Sequence, residues 1–115
     1  MTDLIYKIAT RDLWQEAEAT GRFVGAPVDE ADGFIHFSTA AQVRETAAKH
    51  FRGERDLVLV AVDPNRLGAD LKYEVSRGGA LFPHLYSALP LDAVVWTKPL
   101  PLAEDGGHAF PELDG

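Results

Sequence analysis

The stretch DGFIHFSTAAQ, residues 32–42, decides the fold because a strand pattern and a helix start meet within it. Its apolar and aromatic residues predict a buried strand over residues 33–38, which one imidazole, that of His36, interrupts. The two-residue period of a strand places His36 on the same face as Phe34 and Ser38. A buried imidazole needs hydrogen-bond partners to offset its desolvation, so His36 is either a structural histidine or part of a site.

A helix is predicted directly after this strand, over residues 40–51. Ser38 or Thr39 is expected to cap it, because a hydroxyl oxygen there accepts a hydrogen bond from a free backbone N–H of the first turn. Gly53 is expected to close it, since glycine commonly follows the last turn of a helix. The N–H groups at the start of this helix would then lie beside the face that carries His36.

The residues before this stretch predict a strand and another helix. LIYKI, residues 4–8, is rich in branched and aromatic residues and alternates like a strand. Thr10 is expected to cap a helix over residues 11–20, and Gly21 is expected to close that helix. Residues 22–32, with glycine, proline and several acids, predict an irregular connection that either holds a ligand or has no functional role.

Three more strands are predicted in the second half of the chain. DLVLVAV, residues 56–62, is expected to be buried on both faces, because apolar residues fill it without alternation. LKYEV, residues 71–75, and AVVWT, residues 93–97, have the composition of further strands. Between them SRGGALFPHLYSALP, residues 76–90, predicts a loop that presents side chains, because it is rich in glycine and proline.

The composition indicates one globular domain of the α+β class. The 115 residues, 46% of them hydrophobic, are enough for a single domain, 1–115, with its core at about 3–99 and a surface-lying or frayed tail over 100–115. The predicted strands and helices do not alternate strictly, which favours α+β over α/β. The chain contains no cysteine, so a disulfide, a catalytic thiolate and a sulfur-ligated zinc are all excluded.

The charge disfavours nucleic acid as a partner. The formal net charge is −7, from 11 basic and 18 acidic residues, and this balance repels phosphate backbones. The basic residues of VRETAAKHFRGER, 43–55, alternate with acids and small residues and therefore indicate a solvated helix face. No leader and no apolar run of membrane-spanning length is recognised, so a soluble, cytoplasmic protein is expected.

The glycine- and proline-rich loop carries His84 and Tyr86, and Glu74 lies on the strand before it. Glu74 is either an outward-facing carboxylate or part of a site, and His84 is either held in a turn by backbone groups or presented to a ligand. Two histidines and a carboxylate also form a known metal-binding set, but no paired ligands on one helix accompany them, so no metal is expected. His50 and His108 are interpreted as a helix-terminal cation and a solvated side chain.

Four segments together resemble one family of proteins. LIYKIATRDLW, DGFIHFSTAAQV, DLVLVAVD and FPHLYSALPLDAV, in this order, resemble the small bacterial domain-of-unknown-function family 952 over nearly the whole chain to about Pro99. That family in turn is similar to the ADP-ribosyltransferase superfamily. In this chain a strand that contains a histidine is followed by a helix and then by an apolar strand that ends in aspartate. This order of elements resembles that of the RNA 2'-phosphotransferases.

The resemblance implies an ADP-ribosyltransferase-like fold: a split, curved β-sheet core with two main flanking helices around a cleft that binds NAD as a substrate. It implies that His36 and His84 orient hydroxyl groups or exchange protons, and that Glu74 stabilises an oxocarbenium-like centre. Family members often have a histidine where this chain has Lys7. The further residues that the resemblance places around the ligand are Tyr6, Lys7, Trp14, Ser38, Thr39 and Tyr86.

Three functions are compatible with these residues. The first is an ADP-ribosyl-type transferase or NAD glycohydrolase that acts on a small-molecule or protein acceptor. The second is a non-catalytic module that binds a nucleotide or a similar small ligand. The third is a hydrolase or isomerase that uses His36, His84 and Glu74 without NAD. Only the first releases nicotinamide, the second binds without turnover, and the third is indifferent to NAD.

Overall fold

The computed structural model describes residues 3–76 and 79–113. It has antiparallel sheets with strand orders β4-β1-β5-β9, β3-β7-β6 and β2-β8, which confirms the α+β prediction. The elements in chain order are β1 (Ile5–Thr10), α1 (Arg11–Thr20), β2 (Arg22–Phe23), α2 (Pro27–Asp32), β3 (Ile35–His36), β4 (Ser38–Thr39), α3 (Val43–His50), β5 (Leu57–Val62), β6 (Leu71–Val75), β7 (Leu81–Leu85), β8 (Leu89–Pro90) and β9 (Val94–Leu100).

The four-stranded sheet carries a hydrophobic core on each face. All six residues of β5 are buried, and they alternate between the two cores. Val60 packs in the first core together with Trp14 of α1, whereas Leu59 packs in the second core with Val43 of α3. The prediction that this strand is buried on both faces is therefore confirmed, because α1 covers one face and α3 covers the other.

The first helix has the boundaries that its caps predict. The side-chain oxygen of Thr10 accepts a hydrogen bond from the backbone N–H of Leu13, at 3.3 Å. Gly21 follows the helix with φ 88°, a left-handed conformation that glycine adopts without steric cost, and its N–H donates to the carbonyl of Ala17. This helix confirms both sequence signals.

The predicted strand over 33–38 is two short strands that belong to different sheets. β4 pairs with β1, where Tyr6 lies opposite Ser38, and β3 pairs with β7, where His36 lies opposite His84. Phe37 lies between the two strands, and the chain passes there from one sheet to the other. The two sheets diverge at this point, which leaves an opening beside the part of β1 that follows Tyr6.

The capping of α3 differs from the prediction. The helix starts at Val43, and Ser38 and Thr39 do not cap it, because their backbone already pairs with β1. The side chain of Gln42 connects these parts instead: its oxygen accepts from the N–H of Thr39 at 3.0 Å, and its nitrogen donates to the carbonyl of Leu81 at 2.7 Å. The expected hydroxyl cap was wrong because the strand extends one residue further than predicted, to Thr39, and the helix starts three residues later than predicted, at Val43.

Residues 22–32 contain β2 and α2, so the predicted irregular connection was wrong. Pro27 occupies the first turn of α2, and Gly33 ends it with φ 86°. Asp29 is the only residue of this six-residue helix that is buried, so the helix has no apolar face. Without such a face there is no hydrophobic periodicity from which to predict it.

Residues 76–90 contain β7 and β8 rather than the predicted loop alone. Pro83 disfavours a strand at this position, because proline has no N–H to donate to a neighbouring strand. β7 nevertheless lies between β3 and β6, and the carbonyl of Pro83 accepts from the N–H of Phe37 at 2.9 Å. The strand therefore tolerates proline at the position where β3 ends.

The residues after β9 lie against the second core. Phe110 and Leu113 pack on this core, and the guanidinium carbon of Arg44 lies 5.4 Å from the centre of the Phe110 ring.

In residues 3–76 and 79–113, none of the helices is long and apolar enough to cross a membrane.

Candidate functional site

A cleft of about 630 Å³ opens where β3 and β4 diverge. Its wall contains five residues that the sequence singled out in three separate stretches: Tyr6, Lys7, His36, Ser38 and His84. The cleft is within the size range of small-molecule sites, and aromatic and aliphatic side chains cover much of its wall. Residues far apart in the chain thus meet in a space that fits a small organic ligand.

Asp29, which no sequence signal singled out, links Lys7 and His36 beneath this cleft. Its side chain is almost fully buried, and its two oxygens lie 3.0 and 2.9 Å from Nζ of Lys7. One oxygen also accepts from the backbone N–H of His36 at 3.1 Å and lies 2.6 Å from Nδ1 of the same residue. The other oxygen accepts from the backbone N–H of Ala26 at 2.7 Å. One carboxylate therefore joins β1, α2 and β3.

The ionisation of this group follows from its surroundings. Burial opposes the charged form of Asp29, but the hydrogen bond from His36, the charge of Lys7 and the Ala26 N–H outweigh it and lower its pKa to about 2. Burial also lowers the pKa of Lys7 from its ordinary value, against the opposing attraction of Asp29. Asp29 is thus a carboxylate at every physiological pH.

Both ring nitrogens of His36 lie beside carboxylate oxygens. Nδ1 donates to Asp29, and Nε2 lies 2.9 Å from an oxygen of Asp32, which is half-exposed in the cleft wall. A neutral imidazole has a single N–H and can donate to only one of these carboxylates, whereas the protonated ring donates to both. His36 is therefore hydrogen-bonded and also lies in the cleft wall. This geometry is compatible with a structural histidine and with a site residue.

His84 is held in a different way from His36. Its Nδ1 lies 2.9 Å from Oε1 of Glu74, and the hydroxyl of Tyr86 donates to the same oxygen at 2.6 Å. The hydrogen bonds from Tyr86 and His84 lower the pKa of Glu74. The hydrogen bond to Glu74 in turn raises the pKa of Tyr86. Because Glu74 accepts a hydrogen bond from the N–H at Nδ1, the neutral ring has its basic lone pair on Nε2.

Phe34 packs against both histidines. Its ring stacks on His84 at 4.1 Å between centroids and lies 4.6 Å from His36 and 5.2 Å from Tyr86. The two imidazoles are consequently 5.6 Å apart, in an edge-on arrangement. Packing and hydrogen bonding together restrict both rings to one orientation, which is what a preorganised site requires.

Ser38 and Thr46 form a hydroxyl pair in the cleft wall. Their oxygens are 2.8 Å apart, and the Thr46 hydroxyl also donates to the carbonyl of Gln42 at 3.2 Å. His50 lies in the same wall, although the sequence indicated only a cation at the end of a helix. Hydroxyl and imidazole groups thus face the cleft from α3 as well as from the strands.

Four of the residues predicted for the site lie outside the cleft wall. Trp14 belongs to the first core, where its ring lies 5.6 Å from Phe23. Thr39 pairs with Ile5 within the sheet. Glu74 bonds to the wall residue His84, and Tyr86 bonds to Glu74, but neither of the two lies in the wall itself.

The acids of the wall are Asp32 and Glu54, neither of which was predicted. Within the described part of the chain, no group of three or more histidine, aspartate or glutamate side chains is arranged to hold a metal ion.

Comparison with known proteins gives a family and a fold. The model of the family described as Protein of unknown function (DUF952) matches residues 8–97. The crystal structure of protein CC0527 from Caulobacter crescentus is 55% identical, with a TM-score of 0.89 over 92% of this chain and 93% of that chain. The solution NMR structure of the same protein is 56% identical, with a TM-score of 0.82 over 90% of each chain. None of the curated proteins matches.

Proposed function

The chain belongs to the DUF952 family of proteins of unknown function, and we propose that its cleft binds a nucleotide of the NAD type and cleaves the nicotinamide–ribose bond. The observation that supports this proposal is the meeting of Lys7, His36 and His84 in one cleft between two diverging sheets. We choose NAD as the ligand because the sequence resembles the ADP-ribosyltransferase superfamily, whose cleft binds NAD. A split sheet with a cleft at the split is the arrangement that this resemblance implies.

The proposed reaction breaks one bond and forms one. The bond between C1' of the ribose and the nicotinamide nitrogen breaks, and nicotinamide leaves with its electron pair. Water, or the hydroxyl of an acceptor, adds to C1' and loses a proton to Nε2 of His84. The products are nicotinamide and ADP-ribose, or an ADP-ribosylated acceptor, together with one proton.

The carboxylates then have roles that differ from the one expected for Glu74. The centre that develops positive charge on C1' needs a negative charge that faces the cleft, and Asp32 and Glu54 lie in its wall. Glu74 accepts from Nδ1 of His84 and therefore orients the base and fixes its tautomer. Glu74 is in this scheme a positioning residue.

His36 is a hydrogen-bond donor in this scheme rather than the base. Its ring nitrogens face Asp29 and Asp32, so an accessible lone pair would require one of these contacts to break. Lys7, bound to the same Asp29, supplies a further N–H donor in the wall. Lys7 would orient the ribose hydroxyls while His84 takes the proton, and His36 would add a second donor only once its Nε2 has left Asp32.

A second candidate is an NAD-independent hydrolase or isomerase that uses the same base. The position of Glu74 favours it, because this carboxylate faces the ring of His84 and not the cleft. A carboxylate–histidine pair of this kind serves general acid–base chemistry on many substrates. The remaining function, a non-catalytic binding module, retains the same cleft and the same ligand contacts without turnover.

The experiment that tests the proposal measures nicotinamide release and the NAD-induced shift in melting temperature on the same samples. We expect wild type to release nicotinamide and His84→Ala to release it at least about 10²-fold more slowly. Gln15→Ala is the control, because Gln15 is exposed on α1 and lies outside the cleft wall. A shift without release would support the binding module, and the absence of both would remove NAD and leave the second candidate.

A further inference from the structure

The helix α2 differs from the rest of the molecule in how it is held. Within the described chain, residues 24–33 contribute no side chain to either hydrophobic core. Val24 and Val28 are each 57% exposed, although both are apolar. Burial of apolar surface, the main force that fixes an element in a fold, is therefore almost absent from this segment.

One buried side chain, that of Asp29, is the main attachment of the segment to the strands beside it. Asp29 is the buried residue of α2, and its carboxylate binds the Lys7 ammonium and the N–H groups of His36. Asp32 adds a half-exposed contact to the same histidine. A charged hydrogen bond depends on direction and is lost when its two atoms move a short distance apart. The attachment therefore has two states, intact and broken.

Glycines stand at both ends of the segment. Gly25 has φ 109° and Gly33 has φ 86°, conformations that other residues rarely adopt. β2 and β3, on either side, are paired with β8 and β7. The segment thus runs between two fixed strands through two residues of high conformational freedom, as hinge segments do.

The segment also forms one side of the cleft, because Pro27, Val28 and Asp32 lie in the wall. We propose that α2 is a lid over the cleft, held closed by a latch in which Asp29 binds Lys7 and His36. Opening separates Asp32 from His36 and removes the apolar side chains of Pro27 and Val28 from the cleft wall. A ligand enters and leaves through this opening, whatever its chemistry.

Amide hydrogen exchange tests the lid without any ligand, so its outcome is independent of the proposed function. The amides of Glu30 and Gly33 report lid opening: they donate to the carbonyls of Ala26 and Asp29, and a six-residue helix that has lost its attachment is too short to keep these bonds in water. The amides of Leu59 and Val60 report opening of the core. In wild type we expect the lid amides to exchange at least about tenfold faster than the core amides.

Two variants separate the lid from the core. Asp29→Asn is expected to speed exchange of the lid amides by about tenfold or more, because it weakens charged hydrogen bonds, whereas the neighbouring exposed variant Glu30→Gln leaves it unchanged. Val60→Ala, which opens a cavity in the first core, is expected to speed the core amides and leave the lid amides as in wild type.

The lid would be ruled out if its amides were as protected as those of β5, or if Val60→Ala accelerated both sets by the same factor. Wild type and Val60→Ala alone decide this point if Asp29→Asn does not fold.

Discussion

Asp29 accepts hydrogen bonds from Lys7, His36 and the backbone N–H of Ala26, which ties three segments of the chain to one carboxylate. Its partners at Lys7 and His36 are both cleft residues, so the geometry of the candidate site depends on a group that does not itself touch the cleft. Buried charges of this kind are stable only while both partners are present.

Asp29→Asn is expected to lower the free energy of unfolding by about 3 kcal/mol or more, because it leaves the Lys7 ammonium buried without a counter-charge. Urea unfolding at neutral pH measures this change. Glu30→Gln removes the same charge from the exposed neighbouring side chain and should change stability by less than about 0.5 kcal/mol. Equal effects of the two substitutions would contradict the role given to Asp29.

The pH dependence of stability should carry the signature of the same carboxylate. Its pKa is about 2 in the folded protein and about 3.9 in an unfolded chain. Between these values the unfolded state binds more protons, so stability falls as the pH falls and roughly 2–3 kcal/mol is lost in total. The stability difference between wild type and Asp29→Asn should therefore shrink from pH 5 to pH 2; a constant difference would exclude the depressed pKa.

At this scale the sequence predicted His36, His84 and Lys7 as cleft residues but not Asp29. The histidines stood out because imidazoles among apolar residues are unusual. Asp29 stands among other acids and looks like a solvated side chain, and its burial depends on a lysine 22 residues away. The one local signal was Pro27 followed by an acid in the first helical turn, a common N-terminal pattern that does not indicate burial.

At the scale of elements, the site exists because one stretch of chain pairs with two sheets. Ser38 pairs with β1, and His36 pairs with β7, so the chain crosses between the sheets at Phe37. α2 then forms one side of this opening, and Gly25 allows its close approach. A Cβ atom at Gly25 would lie 2.8 Å from Cβ of Asp29, which is closer than real contacts.

Gly25→Ala is expected to destabilise the protein by roughly 1–3 kcal/mol more than Gly21→Ala, by overpacking against Asp29. Both glycines have positive φ, but a Cβ atom at Gly21 meets nothing within 4 Å, so Gly21→Ala measures the backbone cost alone. Thermal unfolding of the two variants makes the comparison. Indistinguishable melting temperatures would mean that Asp29 moves aside without cost.

The elements that the sequence predicted correctly have local causes. Thr10 and Gly21 cap α1 by contacts within four residues, and β5 is apolar along its whole length. The elements that it missed depend on distant partners. β7 tolerates Pro83 only because β3 ends beside it, and a strand pattern cannot show that β3 and β4 join different sheets.

At the scale of the whole molecule, two cores on opposite faces of one sheet support the site from behind. The cleft lies at the edge where this sheet meets the other, and the residues that follow β9 reach one side of it, where Nε2 of His108 donates to the carbonyl of Glu54 at 2.9 Å. Those residues cover the second core, where Phe110 packs beneath Arg44. The fold class was predictable from the order of patterns, whereas the packing of this last segment was not, since its sequence is rich in glycine, proline and acids.

Phe110→Ala is expected to lower the free energy of unfolding by about 1–2 kcal/mol, since it removes a partly buried ring from the second core. Val95→Ala, at an exposed position of β9, is the control and should cost less than about 0.5 kcal/mol. Urea unfolding measures both. No loss of stability in Phe110→Ala would show that the last segment does not contribute to the core.

The central claim is that the cleft between the diverging sheets binds a nucleotide of the NAD type. The most direct test is a titration of ¹⁵N-labelled protein with NAD, followed by two-dimensional NMR. We expect saturable shifts of the amides of Lys7, His36, Ser38 and His84, with the core amides of β5 far less affected. Shifts scattered over the surface, or no saturable shift at these four residues, would contradict the claim.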